Sequence, residues 1–392
     1  MKKILFLSKA LFLIIVIPLI AFCTCAEAGA TGLSDDSIAY SETMPDEYFG
    51  FIDALPEGVA DALPDGLYSG DADDILGAAN KMSDLGYIFS AILSAVGLEL
   101  GGCTRLLATL IGIILISAVL NTVRKSIGGA TADIVGFCVR LVMFSAIVAQ
   151  GTSVIKNIQL YFTQLNTLTA AAIPVMGALY VAGGNISRAA VNEGLFSVFL
   201  AVCEYISAST VLPVFGLCLA FALLDAFSGS VRLDVISALI KKYYTSFLGF
   251  IMTALSISLA MQNSLAGRTD SLSMKGIKYL VGNSIPVVGP AISSTLGTVA
   301  AGSDILRGAF GICGIILLLL LLLPSLINIL LHRAVFQISA TTASVLGCDG
   351  ESKLLGEIVS LYGYLAAAVS ICSAVFVIAF AVFSHGASAV IQ

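Results

Sequence analysis

Long apolar runs, separated by short polar or basic segments, set the pattern of most of this chain. Residues 308–331 carry no charge, and at ~1.5 Å per residue they can cross ~30 Å of hydrocarbon as a helix. Comparable runs cover residues 106–123, 134–155, 195–227, 243–261 and 359–383. The pattern predicts an all-α integral membrane protein with roughly six to eight transmembrane or re-entrant helices. The pattern does not determine on which side of the membrane the C-terminus lies.

The N-terminal third has a different pattern. Lys2 and Lys3 precede an apolar stretch, and Ala26-Glu27-Ala28 follows it, which together are typical of a cleaved secretory signal. The pattern thus predicts four parts: a signal peptide (1–28), an acidic exported segment (29–84), an amphipathic or interfacial helix (85–105) and a polytopic membrane domain (106–385). Arg124-Lys125, after the first span, is expected in the cytoplasm by the positive-inside rule.

The acidic segment contains a short repeat. Asp53-Ala-Leu-Pro-Glu-Gly58 recurs as Asp61-Ala-Leu-Pro-Asp-Gly66, and its Pro and Gly positions suit a type I turn. The segment has only scattered apolar anchors and is expected to bury little core: Tyr48, Phe49, Phe51, Leu55 and Leu63. A partner-docking arm and a solvated tether fit this composition equally.

Proline and glycine interrupt the apolar pattern at two places. Ile285-Pro-Val-Val-Gly289 has an earlier counterpart in Ile173-Pro-Val-Met-Gly177, so Pro174, Gly177, Pro286 and Gly289 are candidate structural or pathway residues. Irregular backbone at membrane depth is tolerated only under cover of protein or a water-filled cavity, which predicts re-entrant breaks at both places. Interrupted segments in matching positions of two halves also point to a pathway.

A second pair of marks follows the two breaks. Gly183-Gly-Asn-Ile-Ser-Arg188 parallels Gly302-Ser-Asp-Ile-Leu-Arg307, and both lead into apolar runs that reach a proline, Pro213 and Pro324. The order of the marks favours an internal duplication with repeats at 131–228 and 233–345. Chance recurrence of Gly-Pro punctuation in apolar sequence is the alternative.

Few charged residues interrupt the spans. Glu204 lies inside an apolar run, where an ionised side chain is costly unless it is paired or hydrated, so it is a candidate pathway residue. A neutral Glu204, hydrogen-bonded to a neighbouring helix, fits equally well. Asp304 and Arg307, three residues apart, suit a local ion pair at a helix start. Asp225 and Asp234 flank Arg232, which suggests interfacial pairing.

One region resembles a known family. Arg268-Thr269, Lys275, Asn283, the Pro286–Gly289 turn, Thr298-Val299 and the apolar run ending at Pro324 are similar to the stage III sporulation protein AE family of endospore-forming bacteria. Asn283 becomes a candidate residue on this resemblance. The chain departs from the family pattern at Ser294 and Gly297, where small acidic residues are usual.

The resemblance implies a multi-pass subunit of the transenvelope, channel-like complex between mother cell and forespore. It also implies other stage III sporulation membrane proteins as partners, residence in the mother-cell membrane around the forespore, and an acidic segment projecting outside the cytoplasm. Homo-oligomers are compatible with it. A secondary transporter with Glu204 as coupling site and a purely structural membrane scaffold are the alternatives.

Composition narrows the function classes. Hydrophobic residues make up 58% of the chain and charged residues 11%, against ~25% charged in soluble domains. Residues 27–99 hold 15 acidic residues and one lysine, a net charge of −14, whereas residues 100–392 hold 15 basic and 10 acidic residues, a net charge of +5. Nucleic acid needs a basic face, so lipid is the expected neighbour and nucleic acid is not. The two histidines cannot form an HExxH motif, and we expect neither a cofactor, a metal nor an enzyme.

Overall fold

The computed structural model describes residues 44–60, 63–82, 84–127, 129–228, 233–284 and 289–385. Its helices are α1 Glu47–Asp53, α2 Glu57–Ala60, α3 Ala72–Met82, α4 Leu85–Ile127, α5 Gly129–Ala182, α6 Ile186–Ile206, α7 Leu212–Ser228, α8 Leu233–Ser284, α9 Gly289–Val345 and α10 Asp349–His385. The signal peptide and the first part of the acidic segment lie outside the described residues.

Six helical stretches of this fold are long and apolar enough to cross a membrane. They are Leu100–Thr122, Gly136–Ala182, Ile186–Asp225, Leu233–Gly276, Gly302–Val345 and Asp349–Ser384. The prediction of an all-α polytopic membrane protein is confirmed. Several helices are longer than one crossing needs: α5 has 54 residues, or about 80 Å at 1.5 Å per residue, so the bundle extends beyond the hydrocarbon layer.

The interfacial helix expected at 85–105 and the first span form one continuous helix. α4 runs from Leu85 to Ile127, and its apolar stretch begins at Leu100. The described side chains of its first turns include exposed Leu93 and Leu100. The first span therefore enters the membrane without a break from the segment before it.

α9 and α10 form the centre of the bundle. In the apolar part of each, 61% of the residues are buried, against 22% in α5 and 17% in α8. Small residues allow α9 and α10 to approach closely: a Cβ on Gly314 would lie 2.2 Å from the Phe380 ring, and one on Gly311 would lie 2.6 Å from Ser384 Cβ. α5 and α8 consequently present broad lateral surfaces outside the core.

Two tight turns reverse the chain between spans, and both use a glycine with positive φ. At the end of α5, Gly184 has φ +74°, and Asn185 N donates to Tyr180 O at 2.8 Å. At the end of α9, Gly347 has φ +73°, and Cys348 N donates to Ala343 O at 2.9 Å. Both are Schellman motifs, in which a left-handed residue satisfies the last carbonyls of a helix.

The re-entrant break expected at 173–177 is wrong. Pro174 lies inside the continuous helix α5, and the chain reverses instead at Gly183-Gly184. Pro174 is exposed, so its ring and the carbonyl that it leaves without an N–H partner face away from the core. Of the second break, residues 285–288 lie outside the described residues, and Gly289 is the first residue of α9.

The proline at 213 has a visible structural effect. The chain forms a π-helical segment at Ser207–Val211, which ends two residues before Pro213. Pro213 has no N–H to donate, and widening the preceding turn to π geometry accommodates that loss. The hydroxyl of Tyr364 donates to Val211 O at 3.1 Å, so α10 satisfies a carbonyl at the irregular turn.

The proposed repeats differ in local conformation. Residues 183–185 form a turn that precedes α6, whereas 302–307 lie within α9. Pro213 follows a π segment, whereas Pro324 lies inside a continuous helix. The matching sequence marks therefore occupy different structural positions.

The acidic segment folds onto one end of the bundle, contrary to the expectation that it would bury little core. Tyr48 and Phe51 are each 2% exposed, and their rings lie 6.2 and 5.1 Å from that of Phe310 in α9. Burial raises the pKa of Tyr48, whose hydroxyl donates to Leu67 O at 2.9 Å. We call residues 44–82 the arm.

The repeated motif in the arm does not place its prolines as predicted. Pro56 and Pro64 each precede a short helical turn, and their carbonyls accept from Val59 N at 2.8 Å and Leu67 N at 3.1 Å. Proline therefore occupies the first position of each turn rather than the second. Proline suits this position because it has no N–H to leave unsatisfied there.

Candidate functional site

A buried cluster of polar side chains lies at the arm end of the bundle, where four helices meet. We call it the arm-side cluster. Its members are Tyr180, Arg188, Asn192, Asn263, Asp270, Asp304 and Arg307. They come from the last turn of α5, the first turns of α6, the outer part of α8 and the start of the α9 span.

Asp270 holds the start of α6. Its Oδ1 accepts from Ser187 N and its Oδ2 from Arg188 N, both at 2.9 Å. The first N–H groups of a helix have no partner within the helix, and a carboxylate there also compensates the helix dipole. Asp270 is 4% exposed, so α8 supplies the cap of α6 from inside the protein.

Arg307 is the most buried charged group of the cluster, with an exposure of 1%. Its Nη2 lies 2.7 Å from Asp304 Oδ1, and its Cζ stands 4.9 Å from the centroid of the Tyr180 ring. The predicted ion pair of Asp304 and Arg307 is present, and it is one part of a larger site. The ring face of Tyr180 adds a cation–π contact.

Arg188 reaches the cluster through a space that Gly267 leaves open. A Cβ at Gly267 would lie 1.8 Å from Arg188 Nη2. A Cβ on Gly183 would lie 3.4 Å from Ser303 Cβ, so the two Gly-x-x-Ile-x-Arg marks of the sequence pack against each other. Arg188 and Arg307 thus enter one site from opposite sides.

The cluster contains more polar atoms than the described residues satisfy. Asn192 and Asn263 flank the Tyr180 hydroxyl, yet Tyr180 Oη, both amide atoms of Asn192 and Asn263 Oδ1 have no hydrogen bond to another described residue. The same holds for Arg307 Nε and Nη1. Buried polar groups are costly unless they are hydrogen-bonded. The arrangement therefore suits water or a small polar ligand as a further partner.

Sequence reasoning found part of this site. The structure brings Arg188, Asp304 and Arg307 together, but it places Glu204 elsewhere. Pro174 and Gly177 lie along α5, Asn283 lies near the end of α8 and Gly289 begins α9; Pro286 lies outside the described residues. The sequence analysis missed Tyr180, Asn192, Asn263, Gly267 and Asp270, although the last two flank the Arg268-Thr269 mark.

Glu204 lies on the lateral surface of the bundle, in a groove between α5 and α6. The groove has a volume of about 530 Å³, and Gln159, Thr163, Asn166 and Thr167 line its α5 side. Glu204 is exposed and has no hydrogen bond or ion pair with another described residue. The hydrogen bond from Glu204 to a neighbouring helix, one of the two alternatives that the sequence left open, is therefore not formed among the described residues.

Contacts with α10 fix the depth of this lateral groove. The hydroxyl of Tyr161, between Gln159 and Thr163, hydrogen-bonds to Ser373 Oγ. Phe199 of α6 packs on Phe376 at 4.9 Å between ring centroids. Residues 358–384 of α10 carry no charge, and Ser373 lies near their middle. The groove is thus at mid-membrane depth.

A second buried polar contact joins α5 to α9 within the spans. His332 is 2% exposed, its Nδ1 lies 2.9 Å from Asn328 O, and its Nε2 lies 2.9 Å from Gln150 Nε2. Cys103 Sγ of α4 lies 3.8 Å from the same Nδ1. The imidazole thus contacts three helices of the bundle, in a structural role.

Ion pairs hold the end of the bundle opposite the arm. Asp225 Oδ2 lies 2.7 Å from Lys353 Nζ, and Lys241 Nζ lies 3.3 Å from Glu357 Oε2. Asp225 Oδ1 also accepts from Leu233 N at 3.1 Å. Arg232, the partner expected for Asp225, lies outside the described residues. Among the described residues, no group of His, Cys, Asp and Glu is arranged to hold a metal ion.

The six spans, the buried polar cluster and the folded arm define a polytopic helical membrane protein, and comparison with known proteins assigns its family. The model of the stage III sporulation protein AE family matches residues 73–386. The chain belongs to this family, a family of sporulation proteins, and the resemblance found in the sequence is confirmed.

A curated relative agrees with this assignment. The chain is 22% identical over 276 residues to the stage III sporulation protein AE of Bacillus subtilis (strain 168), which covers 69% of this chain and 68% of the relative. No solved structure matches the chain.

Proposed function

We propose that this chain is a non-enzymatic, multi-pass subunit of the transenvelope, channel-like complex that joins mother cell and forespore. Family membership over residues 73–386 is the observation that carries the proposal. The matched stretch begins in α3 of the arm and includes all six candidate spans. In this proposal the chain resides in the mother-cell membrane around the forespore.

The folded arm supplies the surface for partners. Asp46, Glu47 and Asp53 are exposed on or beside α1, whereas Tyr48 and Phe51 fix this helix to the bundle. An acidic surface held rigidly at one end of a membrane bundle favours basic partner surfaces through charge complementarity. In the proposal, this surface faces the space between the two membranes and contacts other stage III sporulation membrane proteins.

The test uses an affinity-tagged chain at its native locus. We expect production after engulfment begins, arrest of forespore development without the chain, and co-isolation of other stage III sporulation membrane proteins. Reversing Asp46, Glu47 and Asp53 to Lys abolishes that co-isolation without lowering the amount in the membrane. Asp349→Lys, exposed at the opposite end, is the matched control. Production throughout vegetative growth, or unchanged co-isolation after the triple reversal, contradicts the proposal.

A secondary transporter is the second candidate, because the groove at Glu204 puts a carboxylate, two amides and two hydroxyls at mid-membrane depth. Intramembrane carboxylates mark ion and proton pathways. This candidate predicts that Glu204→Gln blocks sporulation while the protein accumulates normally in the membrane. Sporulation at the wild-type level with Glu204→Gln excludes it.

A further inference from the structure

A polar seam runs along the lateral face of α5 at membrane depth. Thr152, Lys156, Gln159, Thr163 and Thr167 recur every three or four residues and are all exposed. Residues at this spacing lie on one side of a helix. The opposite side of α5 is apolar and buried, with Val154, Ile158, Tyr161 and Leu165 each at most 1% exposed. The seam therefore faces outward from the bundle.

The threonines of the seam are satisfied locally. Thr163 Oγ1 donates to Gln159 O and Thr167 Oγ1 donates to Thr163 O, both at 3.0 Å. Lys156, Gln159, Asn166 and Glu204 are different: across the described ranges, their side chains form no hydrogen bond or ion pair. Charged groups and amides exposed to hydrocarbon at this depth are strongly unfavourable. The seam needs a polar partner.

The charges identify a partner that the chain itself provides. Glu204 lines the groove on its α6 side, and Lys156, of opposite sign, lies on α5 about one helical turn before Gln159, which lines the groove on its α5 side. Tyr161, five residues after Lys156, is level with Ser373, and Cys203 beside Glu204 lies near Cys372. The two charges are therefore separated along the bundle axis by only about one to two helical turns. A surface that carries both signs, unpaired, is complementary to a copy of itself.

We infer that a second copy of this chain docks on the lateral groove, seam to seam, with Lys156 of each copy facing Glu204 of the other. A two-fold axis normal to the membrane gives both copies the same orientation and repeats each contact twice. Gln159 and Asn166 supply amide donors and acceptors to the same interface, of the kind that joins membrane helices. Exposed Leu160, Val198 and Tyr205, at 56, 60 and 66%, form its apolar rim.

Charge reversal tests the pairing on the purified full chain in lipid nanodiscs, with mass per particle as the readout. We expect the wild type to be dimeric. Lys156→Glu and Glu204→Lys each place like charges together and give monomers, whereas the double variant restores the dimer. Mixing the two single variants also restores it, since one then carries two negative and the other two positive charges at the interface. Lys242→Glu, exposed on α8, is the matched control and remains dimeric.

A wild type that is monomeric in nanodiscs overturns the inference, as do single reversals that leave the dimer intact or a double variant that stays monomeric. If a variant fails to fold, Thr163→Cys with Cys138→Ser provides an independent measurement. Oxidation links Thr163→Cys into dimers, and Phe250→Cys, 72% exposed on α8, stays unlinked. If Thr163→Cys and Phe250→Cys form disulfide-linked dimers to the same extent, or if neither does, the seam is not the dimer interface. The purified chain contains no sporulation partner, so this result is separate from the proposed function.

Discussion

Buried charge at the arm end of the bundle is compensated residue by residue. Both carboxylate oxygens of Asp270 accept hydrogen bonds from N–H groups at the start of α6, and Asp304 forms an ion pair with Arg307. The cluster holds two carboxylates, Asp270 and Asp304, and two guanidinium groups, Arg188 and Arg307, so its net charge is zero when all four are ionised. Breaking a buried pair typically costs about 3–5 kcal/mol because one charge remains uncompensated. The cluster is consequently sensitive to single substitutions.

Arg307→Leu is expected to destabilise the protein more than the double variant Arg307→Leu, Asp304→Leu. The single change leaves Asp304, whose side chain is 25% exposed, with half of the compensating charge, whereas the double change removes both charges together. The expected cost of the single change is about 3 kcal/mol or more. Thermal unfolding of the four proteins of this cycle in detergent measures the coupling. Additive losses in the two single variants would show that the pair contributes nothing beyond packing.

Gly267→Ala is expected to lower stability because the new Cβ would lie 1.8 Å from Arg188 Nη2. Arg188 is 5% exposed, so its guanidinium has no free space into which to move. Gly249→Ala, in the same helix with no atom within 4 Å of its Cβ, is the control, and alanine there is neutral or stabilising by about 0.5–1 kcal/mol. Equal melting temperatures for the two variants would contradict the close contact.

At the scale of elements, sequence patterns predicted the spans better than the turns between them. The uncharged run at 308–331 gives a helix because every backbone group in lipid must be satisfied internally. Pro174 was misread as a break, since nothing in the sequence shows that its side of α5 faces outward. Gly183-Gly184, noted only as a repeat mark, is the turn. The arm-side cluster was only partly predicted because Asp270 and Tyr180 reach it through tertiary contacts.

The two glycine turns give a matched comparison. Gly347→Ala meets no atom within 4 Å, so only the positive φ opposes it, at a cost of about 1–2 kcal/mol. Gly184→Ala has the same backbone strain, and its Cβ would also lie 2.0 Å from Met274 Cε. We therefore expect a larger loss for Gly184→Ala, measured by thermal unfolding. Adding Met274→Ala to Gly184→Ala removes the clash, and the loss of stability should then equal that of Gly347→Ala. If the added change restores no stability, the clash with Met274 does not explain the larger loss.

At the scale of the whole molecule, the six candidate spans among the described residues determine which parts of the chain lie on the same side of the membrane. The arm, the α5–α6 turn and the last turn of α10 lie at one end of the bundle. The end of α7, the start of α8 and the α9–α10 turn lie at the other, with Lys241 and Lys353. The end of α4 and the start of α5 also lie there, and Arg124-Lys125 precedes the end of α4 in the sequence. Cytoplasmic ends are enriched in Lys and Arg, so we predict that the arm lies outside the cytoplasm.

Thiol labelling of intact protoplasts with a membrane-impermeant maleimide tests this orientation. Cys138 is exposed and lies just beyond the α4–α5 junction, so it should react only after permeabilisation. Glu47→Cys in a Cys138→Ser background should react before permeabilisation, because Glu47 is exposed on the arm. Cys372, fully buried between spans, is the internal control and should stay unlabelled. Reaction of Cys138 and Glu47→Cys from the same side would require an even number of crossings between them, which contradicts a single span in α4. Reaction of Cys138 before and Glu47→Cys only after permeabilisation would place the arm in the cytoplasm. Because α4 alone separates these two positions, the experiment reads the direction of the first crossing, and the alternating course of the following five spans fixes the rest.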